Sequence, residues 1–492
     1  MSGKRRHRRH LLVIANWRDR THPSAGGAEL VCERLAASFV QKGHDVVLLT
    51  AKVAGQPRKE QVADGYWVVR QGGRFTVYPW ALLWMLCYRK YIRGVIDSQN
   101  GIPFFSPLVV RRRTPVLMLL HHVHTDQFGL YFPPLVAKVG AWLERRGSGL
   151  VYRDRTIVAV SPSSRKGVRL RLGLKGDIVV IPPGSDSTVS DLPSVSGRSA
   201  TPRIVCVGRL VGHKDVAAVI RAVPGVLPDF PDLELHLVGD GPERPALERL
   251  VGDLGLEGSV HVHGALDADE RDRLLRTAWL SVSASKGEGW GVSVIEANSF
   301  GVPVLAYRRP GLQDSIRHEE TGWLIDEDQP LDVAVTDALR LLTQEEVAAD
   351  LARSCRQWAS QFTWEGMADQ VRALLRAEAG RLSHSPNNRR TITDLATVVR
   401  IPVDLFPNGE LPRFRETDRC VLVPNELVAL LRNTDTQTAR VALRRAGLSP
   451  AAVEDERVTV SVARPIDLVS PATTGRPVVR VPHVREHDTR AG

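Results

Sequence analysis

Ser285-Lys286-Gly287-Glu288-Gly289-Trp290-Gly291-Val292-Ser293-Val294-Ile295-Glu296-Ala297 is the stretch that decides how this chain reads. It follows a strand-like apolar run at Trp279 to Val282, passes three glycines, and becomes a segment of helical period that ends near Gly301-Val302-Pro303. That order is strand, flexible loop, helix. The glycines let backbone amides approach a ligand, and the new helix adds the positive end of its dipole, so an anion such as phosphate fits there. Glu288 sits in the loop and Glu296, with seven residues between the two, sits on the helix. An ionised carboxylate accepts bonds from paired hydroxyls, which suits one Glu to a sugar and the other to a ribose. Taken alone, the same residues read equally as an ordinary turn and a solvated helix Glu.

Working outward, strands are expected at Arg203 to Val207, Leu233 to Val238, Ser259 to His263, Trp279 to Val282 and Val302 to Ala306, with helices between them. The first of these runs into Gly208-Arg209-Leu210-Val211-Gly212-His213-Lys214. Two cations at a strand's carboxyl end can clamp a diphosphate through charge-assisted bonds of about 1.5–3 kcal/mol each, although surface cations beside a turn are the plainer reading. The amino-terminal half repeats the pattern. His10 to Asn16 reads as a buried strand, Ser24-Ala25-Gly26-Gly27-Ala28-Glu29 opens a helix to about Lys42, and Val46 to Thr50 returns as a strand. The turn lacks the GxGxxG spacing, which disfavours hydride transfer.

Pro115 to Leu120 is a near-continuous apolar run that ends in His121-His122-Val123-His124. Zinc would want a further ligand of suitable spacing, and none is evident; polar loop histidines and a substrate-positioning histidine are the remaining readings. Pro79 to Arg93 reads as a helix with Trp80, Leu83, Trp84 and Tyr88 on one side and cations at its end. Such a helix packs on its sheet or contacts a membrane interface.

At 492 residues the chain holds two or three domains, and 43% hydrophobic with 25% charged residues is a globular composition. Five scattered cysteines form no CxxC or Cys-His cluster, so neither disulfides nor a structural zinc is expected. No apolar run is long enough to span a bilayer, and Leu11 to Ala15 is too short for a signal-peptide core. The expected location is cytoplasmic, with docking at the anionic inner face of a membrane left open by the +11 net charge and the basic run Lys4 to Arg9. No aromatic-interleaved basic groove marks a nucleic-acid partner.

Together these residues resemble a family 4 glycosyltransferase. The resemblance rests on Gly208-Arg209-Leu210 with Lys214, Glu288-Gly289-Trp290-Gly291 with Glu296-Ala297, Gly301-Val302-Pro303, Thr321-Gly322-Trp323-Leu324 and the Gly26-Gly27 loop, and it spans about residues 10 to 378. It implies an α/β protein of GT-B fold, two Rossmann-like domains facing across a cleft, that transfers sugar from a nucleotide-sugar donor with retention of configuration. It further implies that Arg209 and Lys214 bind the donor diphosphate, Glu296 the ribose and Glu288 the sugar. The amides of Gly289, Trp290, Gly291 and Val292 would lie near sugar and phosphates, Gly27 would close the phosphate side, and His121 matches the family's active-site histidine. His122 and His124 stand beside it. Trp290 occupies a position where Phe is commoner in the family and keeps its packing role. No metal and no cofactor beyond the donor are expected, because Arg209 and Lys214 supply the charge.

The domain reading is residues 1–184 for the acceptor domain, 185–202 for a linker, 203–362 for the donor domain and 363–380 for a closing helix that returns to the first domain. Beyond Gly380 the resemblance ends. Residues 381–492 form an accessory extension of unknown fold, with Cys420 to Val423 strand-like, Asn425 to Arg432 helical and a loose tail after Ser470. The alternative function is a noncatalytic nucleotide-sugar sensor or scaffold that acts through this extension. Base, sugar and acceptor are not legible.

Overall fold

Eight strands build the first sheet: β1 (Leu11–Ala15), β2 (Asp45–Thr50), β3 (Lys59–Gln61), β4 (Trp67–Arg70), β5 (Ile92–Gln99), β6 (Val116–Leu120), β7 (Ile157–Ala159) and β8 (Ile178–Val180). Their order is β3-β4-β2-β1-β5-β6-β7-β8, parallel throughout except for β3, which pairs antiparallel with β4. The structure is a computed structural model and describes residues 10–123, 132–174, 178–186, 197–384 and 396–462, less 407–411, 413, 416, 417, 424, 433, 435 and 456. β1 and β6 are apolar end to end because helices cover both faces, and every residue of β6 is buried. Order reverses between β1 and β5, which opens a crevice at their carboxyl ends.

β5 is longer and more central than the short strand or turn expected at Ile92 to Ser98. Asp97 interrupts the apolar run yet is fully buried, where it accepts bonds from Phe104 N (2.8 Å), Ser106 N (3.0 Å) and Ser106 Oγ (2.7 Å). The preceding helix is Val77–Tyr88, and its buried residues are Val77, Ala81 and Met85. Leu83, expected on the apolar side, is 60% exposed. Trp80, Trp84 and Tyr88 pack partly buried on the same core, so of the expected side only Leu83 turns outward, and Arg89 caps the carboxyl end of the helix.

Six parallel strands form the second sheet: β9 (Arg203–Val207), β10 (Glu234–Val238), β11 (Val260–Gly264), β12 (Leu280–Ser283), β13 (Val304–Tyr307) and β14 (Gly322–Ile325), in the order β11-β10-β9-β12-β13-β14. This is the Rossmann order, with its switch point between β9 and β12. Ile204, Leu235, Leu237, Leu280, Val282 and Leu305 pack on one side with the helices Val216–Val226 and Leu331–Leu342; Val205, Val238 and Val304 pack on the other with Val294, Ala297 and Leu275. The helix Trp364–His384 begins against the first domain, where Lys42 Nζ meets Glu365 Oε1 at 2.9 Å.

Residues 376–492 form a separate unit. Its core is an antiparallel sheet of β15 (Ala396–Pro402), β16 (Arg419–Val423), β17 (Glu426–Arg432) and β18 (Thr459–Val462), ordered β16-β17-β15-β18. The expected helix at Asn425 to Arg432 is therefore wrong. Leu and Ala favour helix locally, but tertiary pairing overrides propensity: β17 pairs on both edges and sends Leu427, Ala429 and Leu431 into the core. Asn425, at φ 66°, makes the turn from β16. The tail expected to be loose lies outside the described residues.

Candidate active site

The carboxyl ends of β9 and β12 carry a pocket lined by Gly208, Arg209, Lys214, Ser283, Ser293 and Val294, among others. Lys214 closes a short 3-10 turn, Gly212–Lys214, and is ion-paired with Glu288. The Glu288 loop is braced from two sides, by Lys286 N donating to His213 O (2.8 Å) and Glu288 N donating to Pro310 O (3.0 Å). Gly311 packs so tightly on the Glu288 carbonyl that a Cβ there would collide with it. Gly291, at φ 100°, caps the helix Val292–Ser299, a backbone state that only glycine adopts freely.

The two glutamates differ electrostatically. Burial pushes the Glu288 carboxyl up, but the Lys214 ammonium, helped by Ser285, outweighs it and holds the group below the usual carboxylate range. Glu296 projects from the helix toward Arg271, with Oε1 and Nη1 3.9 Å apart. That is too far for a strong bond, and burial pushes Glu296 up to about 7.

On the opposite wall, His121 follows β6 and is 8% exposed. Its Nε2 lies 2.9 Å from Ser98 Oγ. Ser98 Oγ donates to Asn16 Oδ1 (3.2 Å), whose amide is oriented by its own donation to Arg18 O (2.8 Å). With its proton spent on Asn16, Ser98 accepts from His121 Nε2–H, leaving Nδ1 as the acceptor nitrogen. Burial lowers the imidazole to about 4, so it is neutral at physiological pH. His122 is half-buried, and His124 lies outside the described residues.

The loop Gly26-Gly27 is held by Glu29, which accepts from Gly26 N (2.7 Å) and from Arg18 Nε (2.9 Å). It faces the pocket. Arg209 Nη1 donates to Ser24 O (3.3 Å), a Cβ on Gly26 would sit 3.1 Å from Arg209 Nε, and one on Gly27 would sit 4.0 Å from Val292 Cγ2. Gly289 abuts the His121 carbonyl, and Ser164 Oγ donates to Gly289 O (3.1 Å). Gly27, His121, Arg209, Lys214, Glu288, Gly289 and Val292 are thereby gathered on the facing walls of one cleft. Trp290 is buried edge-on against Phe362 with ring centroids 5.0 Å apart, so its side chain packs.

Several positions escaped the sequence reading. Ser98, Asn16 and Glu29 orient residues that were expected, and Ser163 and Ser164 tie the domains together, Ser163 N donating to Asp314 Oδ2 at 3.0 Å. Ser161-Pro162-Ser163-Ser164 reads in sequence only as a helix start. Its bonding partner Asp314 lies 151 positions away.

Residues 25–189 match the family described as Glycosyltransferase Family 4, and residues 193–358 match Glycosyl transferases group 1. The chain is 26% identical over 382 residues to the GDP-mannose-dependent alpha-(1-6)-phosphatidylinositol monomannoside mannosyltransferase of Mycolicibacterium smegmatis, covering 72% of this chain and 95% of that one. In fold it is similar to sucrose-phosphate synthase from Thermosynechococcus elongatus, with TM-score 0.62, 21% identity and coverage of 76% of this chain and 100% of that chain. It is also similar to HepE of Anabaena, solved in complex with UDP, with TM-score 0.57, 20% identity and coverage of 75% and 100%. Two Rossmann-like domains, a cleft between their switch points and matches running through both domains lead to one conclusion: the chain belongs to the family 4 glycosyltransferases, enzymes of the GT-B fold.

Proposed function

We propose that this enzyme moves a hexose from a nucleoside-diphosphate donor to an acceptor with retention and without a metal. The observation that carries the reading is the pairing of Lys214 with Glu288 in a pocket that also holds Arg209 and the start of the helix Val292–Ser299. As the sugar–phosphate bond breaks, negative charge grows on the diphosphate and oxocarbenium character on the sugar. Arg209, Lys214 and the amides of Gly289 to Val292 stabilise the first, a fixed charge needing no reorganisation. Glu288, held ionised by Lys214, binds sugar hydroxyls, and Glu296 accepts from the ribose. His121, neutral and fixed by Ser98, positions the sugar from the acceptor side, and Gly27 closes over the phosphates. Attack from the face that the phosphate leaves lets the phosphate take the acceptor's proton, so neither Glu is a nucleophile.

A lipid acceptor at a membrane surface is supported by a second observation. The helix Pro134–Trp142 buries none of its residues; Leu135 is 75% and Trp142 56% exposed, and the exposed Arg145 and Arg146 follow. Apolar side chains beside cations suit an anionic interface. The Mycolicibacterium relative is named for a phosphatidylinositol monomannoside acceptor. Among the described residues no helix is long and apolar enough to cross a membrane.

Thermal-shift screening of UDP-, GDP-, ADP- and dTDP-sugars, followed by labelled-sugar transfer with the stabilising donor, tests the proposal. One donor class is expected to stabilise and to turn over. Tight binding without hydrolysis or transfer across acceptors would instead support a nucleotide-sugar sensor.

A further inference from the structure

β10 and β11 carry two alternating pairs, Glu234-Leu235-His236 and His261-Val262-His263. Alternation puts each pair on one face of its strand, and the register sets His236 beside His261. Leu235 and Leu237 point into the core on the other face. Four ligand-type side chains therefore share one face at the sheet edge, two strands from the β9/β12 switch point, and none of them lines the donor pocket.

We propose that Glu234, His236 and His261 form a binding site for zinc or a zinc-like divalent cation, which ties the edge strand β11 to β10. One ligand atom from each lies within 4.8 Å of the others. Tetrahedral zinc with bonds of about 2.0–2.2 Å separates its ligands by about 3.3–3.5 Å. His236 Nε2 already stands 3.3 Å from the Glu234 carboxylate, at Oε2, and side-chain rotation brings Oε1 and His261 the rest of the way. The surrounding groups behave as orienting partners. His236 Nδ1 is 2.9 Å from His263 Nε2; with metal on Nε2, Nδ1 keeps its proton and donates it to His263, fixing tautomer and ring. Arg203 donates twice to Glu234 Oε2, at 2.9 and 2.6 Å, anchoring the carboxylate while Oε1 keeps its lone pairs. The stacked rings of His236 and His263, 5.1 Å between centroids and 9° between planes, limit the motion left to lose. Two imidazoles and a carboxylate select zinc, copper or nickel over magnesium and calcium.

The sequence reading expected no structural zinc because it sought clustered cysteines. These ligands are instead 25 positions apart from His236 to His261, joined only by strand register.

The test is titration of zinc chloride into chelator-treated full-length protein, followed by calorimetry and thermal unfolding. One equivalent is expected to bind with Kd on the order of 1 μM or tighter and to raise the unfolding midpoint by roughly 5 °C. Glu234→Gln and His261→Gln should each weaken binding at least about tenfold, and His263→Ala about tenfold through the freed His236 ring. Cobalt(II) bound to the unaltered protein should give the intense visible absorption of a four-coordinate ion, a readout that needs no variant to fold. Absence of a saturable equivalent, only the weak spectrum of hydrated cobalt, or unchanged affinity in both Gln variants would overturn the proposal.

Discussion

Lys214 is ion-paired with Glu288 in the pocket at the β9/β12 switch point, their side chains only 20% and 16% exposed. Without donor the two neutralise each other, and in the proposed mechanism a diphosphate recruits Lys214 from its partner. Glu288→Gln should leave nucleoside-diphosphate affinity unchanged or up to about tenfold tighter while lowering transfer at least about 100-fold. Lys214→Ala should weaken both. Calorimetric Kd beside kcat separates the two; parallel losses in both variants would contradict the division of roles.

Glu296 gives the pH dependence. Its carboxyl is pushed up to about 7 from an ordinary 4.5, so the folded protein holds this proton more tightly than the unfolded chain. Burial of the anion therefore costs stability above about pH 7, and the cost disappears as pH falls toward 4.5. In the proposed role of Glu296 the ribose is bound by the anion, so donor affinity is expected to fall by up to about tenfold per unit as pH drops below 7. Glu296→Gln should remove this step, weaken binding at pH 8 and raise stability there. Calorimetry from pH 5.5 to 8.5 checks it; an identical pH profile in the variant would rule Glu296 out.

His121 should not contribute an ionisation between pH 5 and 8, since burial lowers it to about 4. Ser98→Ala removes the acceptor of its Nε2–H and frees the ring to turn. Turnover is expected to fall about tenfold with little change in donor KM, and the pH–rate profile should keep its shape. A new imidazole step in the profile of the unaltered enzyme that disappears in His121→Ala would contradict this.

Gly289 sits where a side chain would strike the His121 carbonyl and Val160. Gly289→Ala must therefore push the two walls apart. Transfer should drop at least about 30-fold with secondary structure by circular dichroism intact, because a displacement near 1 Å at a reacting centre costs of the order of 100-fold. Near-normal activity would mean that the walls separate during turnover without loss.

Much of this was legible in sequence where chemistry and local period coincide. The glycines and glutamates from Glu288 to Glu296 and the cations Arg209 and Lys214 lie on single loops, and the apolar runs of β6 and β9 announce buried parallel strands. What stayed hidden depends on distant partners. Ser98 matters only because β5 lies beside β6 and brings its hydroxyl to His121; Ser163 matters only because Asp314 meets it across the cleft. β17 differs from the expected helix because Leu-Val-Ala-Leu-Leu suits a helix until strands pair on both sides. In the Pro79 to Arg93 stripe the aromatic residues Trp80, Trp84 and Tyr88 do face the core, and only Leu83 turns outward.

In the proposed mechanism Arg209 and Lys214 stabilise the leaving diphosphate without a metal. The most direct measurement is the rate of sugar transfer from the stabilising donor in excess EDTA, with the anomeric configuration of the product read by proton NMR. Unaltered enzyme is expected to keep its rate and give the donor's own configuration, while Arg209→Ala and Lys214→Ala each lose at least about 100-fold in kcat. Loss of activity in EDTA, an inverted product, or variants that turn over at the unaltered rate would contradict it.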